Sequence, residues 1–171
     1  MKTTQTITLS DAQKKFLSQL ANPSRFKLFL LSQVPMAFLA GVGLKELNGE
    51  QARISVPYRW LNKNPFRSMY FAVMSMAAEI STGTLALLAA HGHRPKVAGI
   101  VTGMEASFTK KATKLTTFVC QDGELLREAV EKCMQTQEPV KVRAKTIGTM
   151  KDGTEVATFY FEWSFKQKEK R

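Results

Sequence analysis

The chain has 171 residues, 44% of them hydrophobic and 23% charged, which suits one globular domain with its own core and excludes a fibre or a disordered chain. Lys and Arg number 25 against 14 Asp and Glu, a formal net charge of +11 that favours polyanionic partners: nucleic acid, an anionic membrane, or the phosphates of a nucleotide-bearing cofactor. Cys120 and Cys133 supply neither a disulfide framework nor the paired spacing of a zinc site, and the polar start Met1 to Ser10 lacks the apolar stretch of a secretory signal, so a reducing cytoplasm is expected.

Ser10 followed by Gln13 is a capping-box pattern opening a short helix with Phe16 and Leu20 on one face. Asn22-Pro23 supplies a second cap with Pro at the first helical position, leading through Phe26, Phe29 and Leu30 toward Phe38 and Leu39, with Pro35 expected to kink or end that helix. After Gly41 and Gly43 the period becomes alternating. From Arg53 to Trp60, residues Ile54, Val56, Tyr58 and Trp60 share one face of a predicted strand, and Pro57 marks an edge or a bulge.

A polar turn, Asn62 to Pro65, precedes an almost continuously apolar run from Met69 to Ala90, long enough to span a bilayer. Glu79 stands at its centre, where an ionisable group is costly in lipid, so the run reads as a helix buried in protein and no membrane span is expected. The Gly and His cluster at His91 to His93 ends it; these two histidines have metal-like spacing but no carboxylate or cysteine to complete a set. Val97 to Phe108 and Leu115 to Gln121 read as strands, with the basic connection Lys110 to Lys114 as the turn of a hairpin between them. Gly123 to Gln135 returns to helical spacing, burying Leu126, Val130 and Cys133. Two last strands follow, joined at the Asp152-Gly153 turn, the second presenting Ala157, Phe159, Phe161, Trp163 and Phe165 inward. No repeat or linker divides the chain, so one α+β domain is expected over residues 1–171, with residues 1–40 as a helical extension and residues 166–171 as a solvated basic tail.

That order of elements, with the stretch Asn64-Pro-Phe-Arg-Ser-Met-Tyr-Phe-Ala-Val-Met-Ser-Met-Ala-Ala-Glu-Ile-Ser-Thr-Gly83, resembles the hotdog-fold thioesterase superfamily, and most of all an uncharacterised bacterial branch of it; the likeness runs from near Pro23 to the last strand. The resemblance implies one long central helix wrapped by an antiparallel sheet. In the phenylacetyl-CoA and 4-hydroxybenzoyl-CoA thioesterases that the chain resembles, an acid on that helix is the general base or nucleophile, which here is Glu79. An Asn or Gln fifteen residues earlier orients water or the thioester, here Asn64, and a backbone N–H eight residues before the acid serves the oxyanion, here that of Phe71. Many members carry His-Gly-Gly where this chain has Tyr70-Phe71-Ala72, with bulk where glycine lets a substrate approach the backbone.

The implied function is hydrolysis of acyl-CoA or acyl-carrier-protein thioesters, with coenzyme A entering as part of the substrate and no other cofactor; the alternative is a non-catalytic fatty-acid or acyl-CoA binding protein of the same fold. Arg67, Lys110 and Lys111 are candidates to hold the phosphates of the head group. Tyr70, Ser81 and Thr82 are further substrate-binding candidates, although helix back-bonding is the commoner use of the last two. For Glu79 the plain structural reading is an ion pair with a basic residue such as Arg67 or a carboxylate facing solvent, and for Asn64 it is a turn or a helix start. The superfamily's sites form between protomers, which implies a homodimer or a dimer of dimers. A third alternative is a basic nucleic-acid or membrane-surface binder; nucleic acid is not favoured, because the aromatics of the last strand fall on an apolar face rather than among basic residues.

Overall fold

The computed structural model describes residues 8–168. Its elements, in chain order, are α1 (Asp11–Leu20), α2 (Pro23–Gln33), α3 (Pro35–Ala40), β1 (Gly43–Leu47), β2 (Ala52–Val56), a 3-10 turn at Trp60–Asn62, α4 (Phe71–Ala90), β3 (Val97–Phe108), β4 (Thr116–Cys120), α5 (Gly123–Thr136), β5 (Val140–Met150) and β6 (Glu155–Gln167). All strands pair antiparallel in one sheet of order β1-β2-β4-β5-β6-β3. This is the hotdog fold: the sheet curls around α4, which lies against β2, β4 and β5.

The N-terminal caps form as their residues dictate. The Ser10 hydroxyl accepts from the Gln13 N–H while the Gln13 side chain accepts from the Ser10 N–H at 3.0 Å, a reciprocal capping box. The Asn22 side chain accepts from Ser24 and Arg25 above Pro23. Pro35 ends α2 and opens α3 as its first residue, and α3 closes at Gly41, whose φ of 76° belongs to the left-handed region. These helices pack on the domain. Gln13, itself buried, donates through Nε2 to the carbonyls of Leu88 and Ala89, both at 3.2 Å, and so satisfies acceptors at the C-terminal end of α4.

α4 is held by burial. Small residues at Ser81, Thr82, Gly83 and Thr84 let its middle approach the sheet closely, and Ala77, Ala78, Ile80 and Leu85 join the core built by Ile54, Phe118 and Phe159. It is long and apolar enough to cross a membrane by length and composition, but most of its residues are buried inside the domain. α5 buries Leu126, Val130 and Cys133 beside α4 and over β5 and β6. The β5–β6 hairpin turns at Asp152-Gly153, with Gly153 at φ 85°, and the inward face of β6 carries Ala157, Phe159, Phe161, Trp163 and Phe165 as its alternation predicts.

Three readings are corrected. The segment Lys110 to Lys114 is not a hairpin turn: β3 pairs only with β6 at the edge of the sheet and β4 lies between β2 and β5, so the connection crosses to the loop before α4, where the Met69 N–H bonds the Ala112 carbonyl at 2.7 Å. The alternating strand from Arg53 to Trp60 stops at Val56, since Pro57 has no N–H for the ladder, and Trp60 is 79% exposed instead of facing inward. The basic tail does not begin at Lys166, because β6 extends through Gln167 and the Lys168 N–H bonds the Lys96 carbonyl. The rest of that tail, and the polar stretch from Met1 to Ile7, lie outside the described residues.

Candidate active site

Glu79 stands in the middle of α4, half-buried, on the face turned toward β6 and the N-terminal helices. Its carboxylate has no hydrogen bond or ion pair among the described residues, so the pairing with Arg67 does not form. Burial disfavours the charged form and raises its pKa above the ordinary 4.5. Gly83, one helical turn on, leaves the room that the carboxylate occupies: a Cβ there would lie 3.0 Å from Glu79 Oε1 and 3.5 Å from the Trp163 ring. The acid borders a cavity of about 360 Å³ walled by Gly83, Leu87, Ile100, Trp163, Phe29 of α2 and Val34 at the end of that helix. A lone carboxylate in apolar surroundings, its proton affinity raised, is the kind of group that can take a proton from water near neutral pH.

A second, more open cavity of about 750 Å³ lies at the start of α4. Asn64, Tyr70, Phe71, Lys110 and Lys111 all line it, and Arg67 stands in the loop beside it. Asn64 folds that loop: its Oδ1 accepts from the N–H groups of Phe66 (3.0 Å) and Ser68 (3.2 Å), the turn-forming use of an Asn. Arg67 takes φ 57° within it and Lys111 Nζ donates to the Phe66 carbonyl at 3.2 Å. α4 starts without a side-chain cap at Tyr70, and the Phe71 and Ala72 N–H groups, the first two of the helix, have no acceptor among the described residues. Unpaired N–H groups at a helix N-terminus suit a developing negative charge. Tyr70 and Phe71 meet edge to face at 5.1 Å beside them.

The predicted catalytic residues therefore stand at two separate cavities, Asn64 and Phe71 at one and Glu79 at the other. Eight residues of helix separate Phe71 from Glu79, a rise of about 12 Å. Ser81 and Thr82 belong to neither cavity: both are fully buried, Ser81 donating to the Ala78 carbonyl and meeting Thr146 across α4 and β5, Thr82 donating to the Glu79 carbonyl and accepting from Trp163 Nε1 at 3.1 Å. Their hydroxyls are engaged within the protein. Reading by residue type missed Gly83, Trp163, Phe29 and Val34. The i, i+4 spacing from Glu79 to Gly83 carries a signal; the walls from α2 and β6 come from distant chain segments and carry none.

The remaining reactive side chains are accounted for by packing. Burial pushes the Cys120 thiol up to about 12, far from the thiolate that a nucleophile needs. His91 stacks on Phe16 with ring centroids 4.2 Å apart, and His93 reaches back to the Ala89 carbonyl.

Solved structures of the same architecture come from several bacteria. A Pseudomonas aeruginosa protein of unknown function described as a probable thioesterase superposes with a TM-score of 0.73 at 18% identity, covering 88% of this chain and 99% of that one. A thioesterase from Haemophilus influenzae gives 0.62 at 8% identity over 85% and 91% of the two chains, and a mutant thioesterase from Pseudomonas aeruginosa gives 0.66 at 10% over 86% and 95%. At such identities the likeness is one of fold. No curated protein matches the sequence. The family model described as Domain of unknown function (DUF4442) matches residues 23–164, from the start of α2 to near the end of β6, and the chain belongs to that family.

Proposed function

We propose that the protein hydrolyses acyl thioesters of coenzyme A or acyl-carrier protein, with the Glu79 carboxylate as base or nucleophile. The observation that carries the reading is the unpaired Glu79, half-buried with its pKa raised, at the edge of an apolar cavity on the central helix of a hotdog fold. The acyl chain lies in that cavity. Acting as base, Glu79 takes a proton from water, the hydroxide adds to the thioester carbonyl, and the proton passes to the departing thiolate as the tetrahedral intermediate collapses. The oxyanion is met by the Phe71 N–H, Asn64 holds the loop that presents it, and Arg67, Tyr70, Lys110 and Lys111 flank the path for the phosphate-bearing arm.

Because Phe71 and Glu79 of one chain lie about 12 Å apart in separate cavities, one carbonyl meets both only if they come from different protomers. The edge strand β3 supports a homodimer, or a dimer of dimers: its outer side is unpaired, and Ile100, Met104 and Phe108 along it are about half exposed or more. Free, buried Cys120 and Cys133 support a reducing cytoplasm as its setting.

The test is thiol release from a panel of acyl-CoA substrates. Wild type should turn over at least one chain length, and Glu79→Gln should lose turnover by roughly 10²-fold or more with an unchanged circular dichroism spectrum. Equal rates in the two proteins would dismiss the mechanism. The bulk of Tyr70 and Phe71 at the helix start favours a second reading, a non-catalytic acyl-binding protein, which predicts saturable binding of acyl-CoA with no thiol released from any substrate.

A further inference from the structure

We propose that α3 and the 3-10 turn after β2 form a docking face for the surface of an anionic phospholipid bilayer. Four large apolar side chains stand out here: Trp60 is 79% exposed, Met36 64%, Leu39 54% and Leu61 54%. The two segments are fixed side by side. The Arg59 guanidinium donates to the Leu39 carbonyl, and the fully buried Asn62 donates through Nδ2 to the Ala40 carbonyl at 2.8 Å and the Pro57 carbonyl at 2.7 Å. The apolar side chains thus project from a braced surface.

Charge names the occupant. No Asp or Glu occurs from Ala12 to Lys45 or from Gln51 to Ala78, the two stretches that build this face. Arg59 and Lys63, which directly flank the 3-10 turn, are exposed and join no ion pair among the described residues. A tryptophan with Leu and Met beside it, flanked by cations on segments that carry no acid, matches the layered chemistry of a lipid headgroup region: apolar groups enter the acyl boundary and Lys or Arg meet phosphates above it. Nucleic acid would leave Met36, Leu39 and Leu61 without a partner. A second copy of this chain would bring the same cations against themselves. The inference does not depend on the hydrolase reading.

The two tryptophans make the test direct, since Trp60 is exposed and Trp163 is 8% exposed. The full chain is mixed with vesicles of phosphatidylglycerol or of phosphatidylcholine, and sedimentation, tryptophan emission and acrylamide quenching are followed. The expected result is co-sedimentation with phosphatidylglycerol at least tenfold stronger than with phosphatidylcholine, a blue shift, loss of quenching, and weakening by salt. Trp60→Ser and Lys63→Glu should each lower that partition roughly tenfold with native circular dichroism, both being surface positions. Equal binding to the two lipids, or no binding to either, overturns the proposal. So does a Trp60 already shielded from acrylamide without lipid, which would mean that another copy covers it, or a shift produced by an RNA homopolymer while vesicles have no effect.

Discussion

Glu79 combines two properties that are usually separated, burial and the lack of a partner. Its folded-state pKa is raised above the unfolded value near 4.5, so the folded state binds the proton more tightly than the unfolded one. Stability from this residue is therefore greatest below that unfolded value and is lost as pH rises through the raised one. Glu79→Gln should accordingly melt higher than wild type at about pH 8 and lose that advantage near pH 4, in paired thermal scans. The same shift moves activity: if the carboxylate is the base, kcat/KM falls on the acid side through a pKa above the ordinary 4.5, and a limb at or below that value would contradict it. Gly83 offers an independent handle. In Gly83→Ala the new methyl meets Glu79 Oε1 and the Trp163 ring, so thioester hydrolysis should fall roughly tenfold or more, while the melting temperature holds or rises because Ala favours the helix by about 1 kcal/mol.

At the level of elements, the signals that survived are those whose physics is local. The Ser10–Gln13 box, the Asn22-Pro23 start and the Asp152-Gly153 turn are each complete within a few residues, and each forms as read. What failed was pairing at a distance. β3 and β4 are neighbours in sequence joined by a short basic segment, yet β3 pairs with β6, because a twelve-residue strand finds in β6 a partner of matching length while β4 has five residues. Nor could spacing show that Asn64 and Glu79 face different cavities, since that depends on how α4 is seated on the sheet. Within the sheet, Gly148 lies opposite Phe118 in the β4–β5 ladder at a tight point: a Cβ there would lie 2.5 Å from the buried Phe118 ring. Gly148→Ala should cost about 1–3 kcal/mol in urea unfolding, and a neutral result would mean that the ring shifts freely.

For the whole molecule, the separation of donor and acid becomes an experiment. Pro is tolerated at the first helical position, and Tyr70 already has the extended backbone, φ −65° and ψ 131°, that a following Pro requires. Phe71→Pro therefore deletes the N–H at the start of α4 while keeping the helix, and should slow thioester hydrolysis by about 10²–10³, whereas Phe71→Ala keeps the N–H and should retain most of the rate. Mixing equal amounts of Glu79→Gln and Phe71→Pro subunits, unfolded and refolded together, should restore about a quarter of wild-type activity if each site draws its acid and its N–H from different protomers of a dimer. A mixture as inactive as its parents would mean that both groups act within one chain.

The contact from Gln13 to the Leu88 and Ala89 carbonyls bears on where this domain begins. One glutamine near the start of the chain closes the far end of the helix that carries the acid, so trimming the first twenty residues would strip that terminus and let it unravel toward the middle. The three leading helices thus brace the core, and a shortened version beginning at β1 should fold poorly or not at all, as circular dichroism would show.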